Sequence, residues 1–299
     1  MKPLEIISKS IARSRALTNK KSYLIKGEIH VKNGVRLTVE DNTQIFIANG
    51  PEKSRTLNRS ALIFDQGSRL IGRRITFKAA NQITLKPEKI ANNGGLWFLG
   101  SHQDADKDGV RLKVKTSNSS SLFSATKISA YYLGCSDSLN SKSKRKTKFI
   151  EDDLDAISVI GVSRVEWDIS SVNSFYSGDD GFDVTNSDIS LERLRVSDPT
   201  EDGVNLSSSR VSIHKTLDIS VKQDQRTDRD LFDFETDDGA SYLELHGGAT
   251  LNLDGTFGDQ LNLFSSQMPK PNTRNNNNQR YRYSGKLRKS SLIFSIDQD

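Results

Sequence analysis

Asp155-Ala156-Ile157-Ser158-Val159, Asp180-Gly181-Phe182-Asp183-Val184 and Asp202-Gly203-Val204-Asn205-Leu206 are three versions of one phrase, spaced 25 and 22 residues apart. A second phrase trails each at a near-constant offset: Ser163-Arg164-Val165-Glu166-Trp167, Ser187-Asp188-Ile189-Ser190-Leu191 and Ser209-Arg210-Val211-Ser212-Ile213. Self-similarity at this period marks a solenoid, because one such unit cannot bury its apolar face alone and must stack on the next. Each phrase alternates apolar and polar residues, as a short strand does. Gly, Asn, Ser and Asp punctuate the joins, where they tolerate left-handed backbone or bond their own main chain. No window inside the repeat has helical spacing. The expectation is therefore an all-β coil with parallel strands about 4.8 Å apart. Ile157, Val159, Phe182, Val184, Val204 and Leu206 should form inward columns, and Ser158, Asp183 and Asn205 should face water.

Outward from the repeat, Ile29–Ile47 and Ala61–Ile71 show the same strand–Gly–strand rhythm, interrupted by a polar stretch over 50–60. Leu4, Ile7 and Ile11 recur at helical spacing, predicting an amphipathic helix over 4–17 that caps the coil within residues 1–20. The coil proper should span 21–265. Asp230-Leu231-Phe232-Asp233-Phe234 opens another unit 28 residues after Asp202. Residues 266–299 should be an Asn-rich flexible loop followed by a closing strand over Ser291–Ser295.

The phrases IHVKNGVRLTVEDNTQIFI (29–47), ALIFDQGSRLIG (61–72), GGLWFLGS (94–101), GDDGFDV (178–184) and EDGVNL (201–206) resemble bacterial right-handed parallel β-helix repeat proteins of the pectate-lyase-like superfamily. The resemblance covers most of residues 23–264. It implies a right-handed, single-stranded parallel β-helix placed at the bacterial surface or outside the cell, although no leader is evident in the first residues. It is weak for activity, since that superfamily spans polysaccharide lyases, glycoside hydrolases, epimerases, adhesins and non-catalytic surface proteins.

Charge is unevenly spread. Residues 151–204 hold fourteen Asp and Glu against Arg164, Arg193 and Arg195, within a chain of net charge +5. An acidic middle on a basic body fits either a cation site beside a polyanion surface or simply Asp-rich turns with solvated Lys and Arg elsewhere. Cys135 is the one cysteine, which excludes an intrachain disulfide and reads as a small buried residue. No apolar run reaches the length of a membrane span.

The candidate chemistry is carboxylate chemistry. In the repeat register Asp155, Asp180 and Asp202 stand one above another, with Asp230 next, and Asp179 and Glu201 beside them. Two carboxylates about 5–10 Å apart are what glycoside hydrolysis requires. Asp179, Asp180 and Asp202 are thus the candidate catalytic set, and Asp155, Arg193, Arg195 and Arg210 the candidate ligand-binding set. Gly178-Asp179-Asp180-Gly181 matches the GDD-like turn of galacturonase-type members, but the Gly-His-Gly and Arg-x-Lys that should follow are absent: His214 sits in Ile-His-Lys and His246 in Leu-His-Gly-Gly. A lyase would instead pair a cation held by Asp179, Asp180 and Asp202 with an arginine base.

Asp104, Asp106 and Asp108 before Gly109 make the opening half of an EF-hand-type loop, yet Lys115 occupies the place of its bidentate Glu. Calcium is the cofactor these aspartates would take in a looser loop, and a solvated acidic turn without metal is the equal alternative. His30, His102, His214 and His246 lie too far apart in sequence to suggest a cluster. The basic stretch Asn140–Lys148 lacks the interleaved aromatics of a nucleic-acid site, so it reads as a solvated insertion. The function expected is a parallel β-helix presenting a carbohydrate- or partner-binding face without catalysis. The rival is a lyase or hydrolase of an acidic polysaccharide.

Overall fold

The computed structural model describes residues 2–50, 59–101, 120–135, 154–222, 229–236, 239–258, 262–264, 280–288 and 292–296. Within them the chain is all β, with no helix. The strands are, in order, β1 (Leu4–Ile7), β2 (Arg15–Leu17), β3 (Ser22–Ile25), β4 (Glu28–Val31), β5 (Arg36–Val39), β6 (Gln44–Ala48), β7 (Ala61–Phe64) and β8 (Arg69–Gly72). Next come β9 (Arg74–Ala80), β10 (Leu96–Leu99), β11 (Leu122–Ala125), β12 (Lys127–Tyr131), β13 (Ile157–Ile160), β14 (Trp167–Ile169), β15 (Ser171–Phe175) and β16 (Phe182–Thr185). The last are β17 (Asp188–Ser197), β18 (Val204–Ser207), β19 (Arg210–Ser220), β20 (Phe232–Glu235), β21 (Ser241–Leu245), β22 (Thr250–Gly255), β23 (Asn262–Phe264), β24 (Tyr281–Lys286) and β25 (Leu292–Ile296).

They form sheets of thirteen, seven and five strands. From β4 to β15 the chain visits the seven-stranded sheet, then the five-stranded, then the thirteen-stranded, and starts again. Each strand pairs in parallel with its counterpart one circuit away. Such an order is compatible with a β-solenoid. The register agrees with the repeat: Phe182 pairs Val204, which pairs Phe232, and Ser158 pairs Asp183. Ile157, Val159, Phe182, Val184, Val204 and Leu206 are each no more than 1% exposed, all in one continuous core. Large rings fill its middle, where Phe64 stacks on Phe98 at 5.1 Å and Phe98 meets Trp167 edge-on at 5.5 Å. Burying each such side chain contributes about 2–3 kcal/mol.

Three expectations need correction. The first residues are strands, not a cap helix. β1 pairs β3 in parallel, and Ile11 bridges Val31, so Ile7, Ile11 and Leu17 supply the first core layer. The β-branched Ile6-Ile7 pair favours extended backbone, and a waiting sheet edge outweighs the weak helical spacing. At the other end the strands reverse: β24 runs antiparallel to β22, and β25 antiparallel to β21 and β23. There Phe294, Phe257 and Tyr281 pack on one another over the core.

Second, Ser158 and Asp183 do not face water; they are 0% and 3% exposed. The outer side of the seven-stranded sheet is buried at its middle strands, where Ile63, Trp97 and Ile160 form a second apolar cluster with Cys135 and Leu154. The runs Ala61–Phe64, Leu96–Leu99 and Ile157–Ile160 are continuously or nearly continuously apolar rather than alternating, the pattern of strands covered on both faces. Cys135 is buried, as expected of a small apolar side chain.

Third, the histidines are not all apart. The β19–β21 register sets Ile213 beside Leu245, and the following residues, His214 and His246, stack with ring centres 4.0 Å apart.

Candidate functional site

The aspartate column stands where the thirteen-stranded sheet hands the chain to the seven-stranded one. The strand register, 25 residues between Ser158 and Asp183 and 22 between Phe182 and Val204, places Asp155, Asp180 and Asp202 on neighbouring circuits, with Asp230 next. Two of the carboxylates reach along the stack. Asp180 Oδ1 accepts the amide of Asp202 at 2.7 Å, and Asp202 Oδ1 accepts the amide of Asp230 at 2.5 Å. Asp155 Oδ2 accepts from Ser158 Oγ at 3.0 Å.

The glycine after Asp180 and after Asp202 is dictated by the same corner. A Cβ on Gly181 would lie 2.1 Å from Val196 Cγ1, and one on Gly203 2.6 Å from Ile219 Cγ2 and 2.7 Å from the Leu231 carbonyl. Asp-Gly is thus a unit: the aspartate bonds the next circuit's amide while the glycine lets the corner approach the sheet. Two serines of the second phrase, Ser187 and Ser209, and Ser241 one circuit on act likewise. Ser187 Oγ accepts the Val162 amide at 2.9 Å, Ser209 Oγ the Ser187 amide at 3.0 Å, and Ser241 Oγ the Ser209 amide at 3.3 Å.

The corner is strongly acidic. Asp155, Asp179, Asp180 and Asp183 are all at least nine-tenths buried. Burial, reinforced by Asp233, Asp230 and Glu201, raises the Asp202 carboxyl well above the usual carboxylate range, against the lowering effect of its bond from the Asp230 amide. A carboxyl that holds its proton beside carboxylates is an acid–base pair in principle.

The arginines do not join it. Arg193 and Arg195 project from β17 on the outer side of the thirteen-stranded sheet, where Arg193 pairs with Glu192 at 3.2 Å and Arg195 with Asp218 at 3.3 Å. Arg210 opens β19 and lies over the Tyr242 ring at 5.3 Å. Asp104, Asp106 and Asp108 fall outside the described residues, as does His102. Among the described residues no group of three or more His, Cys, Asp and Glu is arranged to hold a metal ion.

One feature escaped the sequence reading although its signal was present. Ala130-Tyr131-Tyr132-Leu133-Gly134 and Ser174-Phe175-Tyr176-Ser177-Gly178 repeat an aromatic pair two residues before a glycine. In the fold they make two ladders. Tyr131 stacks on Phe175 at 4.8 Å, with Lys78 over one end at 5.6 Å and Arg195 over the other at 5.4 Å. Tyr132 stacks on Tyr176 at 4.9 Å, with Lys222 5.8 Å from the Tyr176 ring. Tyr132 and Tyr176 adopt φ of 58° and 57°, left-handed backbone that costs a bulky residue about 1–2 kcal/mol. The same turn one circuit on uses Asp198 at φ 54°, whose carboxylate pairs with Lys222 at 3.0 Å.

A third cluster sits near the start of the chain. His30 Nδ1 lies 2.5 Å from Asp65 Oδ1 and its Nε2 2.7 Å from Glu28 Oε1. The hydrogen bond to Asp65, then that to Glu28, pushes the imidazole pKa up to about 9. At His214 burial lowers the pKa and the stacked His246 adds to it.

No protein family, curated protein or solved structure matches this chain.

Proposed function

We propose that the chain is a right-handed, single-stranded parallel β-helix that presents a carbohydrate- or partner-binding face and performs no chemistry on it. The observation that carries this reading is the use of the Asp180 and Asp202 carboxylates as acceptors for the next circuit's amides. An oxygen so committed is a corner brace, and the arginines a lyase would need stand on another surface. A location outside the cell belongs to the same proposal and is supported by the sequence resemblance alone.

The second reading, a lyase or hydrolase of an acidic polysaccharide using Asp179, Asp180 and Asp202, is favoured by the raised pKa of Asp202 beside other carboxylates. One experiment separates them. The purified protein is incubated with polyuronates, with and without calcium, while unsaturated products and reducing ends are followed. No product under any condition is expected. Turnover that disappears in Asp202→Asn, with the melting temperature kept, would establish the enzyme instead.

A further inference from the structure

Seven strands of the thirteen-stranded sheet lie side by side in the order β9, β12, β15, β17, β19, β22, β24. Their outward residues form a strip about 30 Å long and about 14 Å wide, from the strand spacing and the rise per residue. Seven cations project from it, namely Arg74, Lys78, Lys127, Arg193, Arg195, Arg282 and Lys286, and all are exposed. Two carboxylates, Asp218 and Asp254, answer them on the same face.

The charge is not spread evenly. One column in register runs from Arg74 and Lys127 through Ser171, Arg193, Thr216 and Thr250 to Lys286. It is made wholly of cations and hydroxyls. Arg74 pairs with Asp41 just off the strip, and Arg193 with Glu192. Lys78, Lys127 and Lys286 have no carboxylate partner among the described residues.

We infer that this strip binds a linear anionic glycan, laid along the Arg74–Lys286 column. The inference rests on the proposed reading of the chain as a binding protein, and it names the face and the ligand class. Three observations select the ligand. The strip is positively charged and open, which calls for a polyanion. It is narrow, and its outward residues include none of the strongly exposed apolar side chains (Leu4, Ile6, Ile83, Ile90, Val165, Tyr176), so it suits a chain better than a membrane plane. The faces of Tyr131 and Phe175 are taken by each other and by Lys78 and Arg195, leaving no ring face on which a nucleobase could stack. What remains is charge interspersed with Ser, Thr and Asn, which serves sulfate or carboxylate groups and sugar hydroxyls together. An extended pyranose chain advances by roughly one strand spacing per sugar, in step with the column.

The test is fluorescence anisotropy with a labelled heparin-derived oligosaccharide, and in parallel with polygalacturonate fragments, single-stranded DNA and anionic phosphatidylserine vesicles, at low and physiological salt. The wild-type protein should bind a glycan, and more weakly as salt rises. Lys127→Gln/Arg193→Gln/Lys286→Gln should weaken it roughly tenfold or more. Lys9→Gln/Lys20→Gln, away from the strip, should not, and circular-dichroism melts of both variants should match wild type. The sulfated and uronate probes report which anionic group is preferred. Glycan binding unchanged in the triple variant overturns the face while leaving a carbohydrate-binding protein. Tighter binding of DNA or vesicles overturns the ligand class. Absence of binding to either glycan overturns both the inference and the carbohydrate reading beneath it.

Discussion

The acidic corner and the basic strip are built from the same pleated backbone, yet they put their polar residues to opposite uses. At the corner, Asp180, Asp202, Ser187 and Ser209 turn along the stack and bond amides of neighbouring circuits. On the strip, Lys78, Lys127 and Lys286 project into solvent. The lesson is that charge density alone does not identify a working surface. Fourteen acidic residues between 151 and 204 look like a site in sequence, but Asp180 and Asp202 are structural braces, whereas Lys78, Lys127 and Lys286 stand exposed with no carboxylate partner among the described residues.

The contrast makes predictions that can be broken. The largest effect should come from Gly181→Ala, whose added methyl collides with Val196. Overpacking of this kind should cost about 3 kcal/mol in chemical denaturation, while Thr216→Ala on the strip should stay within about 0.5 kcal/mol. Equal losses at both positions would erase the distinction. A middle-sized effect is expected at Asp180. Removing the acceptor with Asp180→Ala leaves the Asp202 amide unsatisfied and should cost about 1–3 kcal/mol. Asp180→Asn keeps an oxygen in place and should recover much of that. If alanine and asparagine melt alike, the side chain is not a brace.

The smallest effect is a pH dependence away from both regions. His30, raised from 6.5 to about 9 by Asp65 and Glu28, gives stability that is complete below pH 6.5 and lost as pH climbs through 9. Because the cluster is partly solvated, the change should be on the order of 1 kcal/mol. Melting followed from pH 6 to pH 10 should show the decline in wild type and a flatter profile in His30→Ala. Asp202 works in the same direction, since burial also holds its folded pKa above the unfolded value. Its proton is favoured by folding, and the associated stability falls as pH rises from the ordinary carboxylate range.

Much of the architecture is legible in the sequence. The phrase Asp-Gly-Phe-Asp-Val and its echoes predict parallel stacking, and the inward columns from Ile157 to Leu206 are buried to the last residue. The reading failed where a periodic signal was short or where neighbours decided the matter. Leu4, Ile7 and Ile11 fit a helix by spacing, but the free edge of β3 took the segment as a strand. Ser158 and Asp183 alternate as solvent-facing residues should, yet they lie under cover beside the second apolar cluster. The paired aromatics near Gly134 and Gly178 were visible as a repeat of 44 residues and passed unnoticed because they straddle a stretch with no clear phrase between them.

The order of amino acids dictates an all-β, stacked chain. Alternation and recurrence are local properties, and they repeat often enough here to outvote any competing pattern. Which polar residues brace the backbone and which stay open is decided by the tertiary structure alone. That choice turns on whether the next circuit offers an amide within 3 Å or leaves only water, and residues some two dozen positions apart settle it by meeting across the stack.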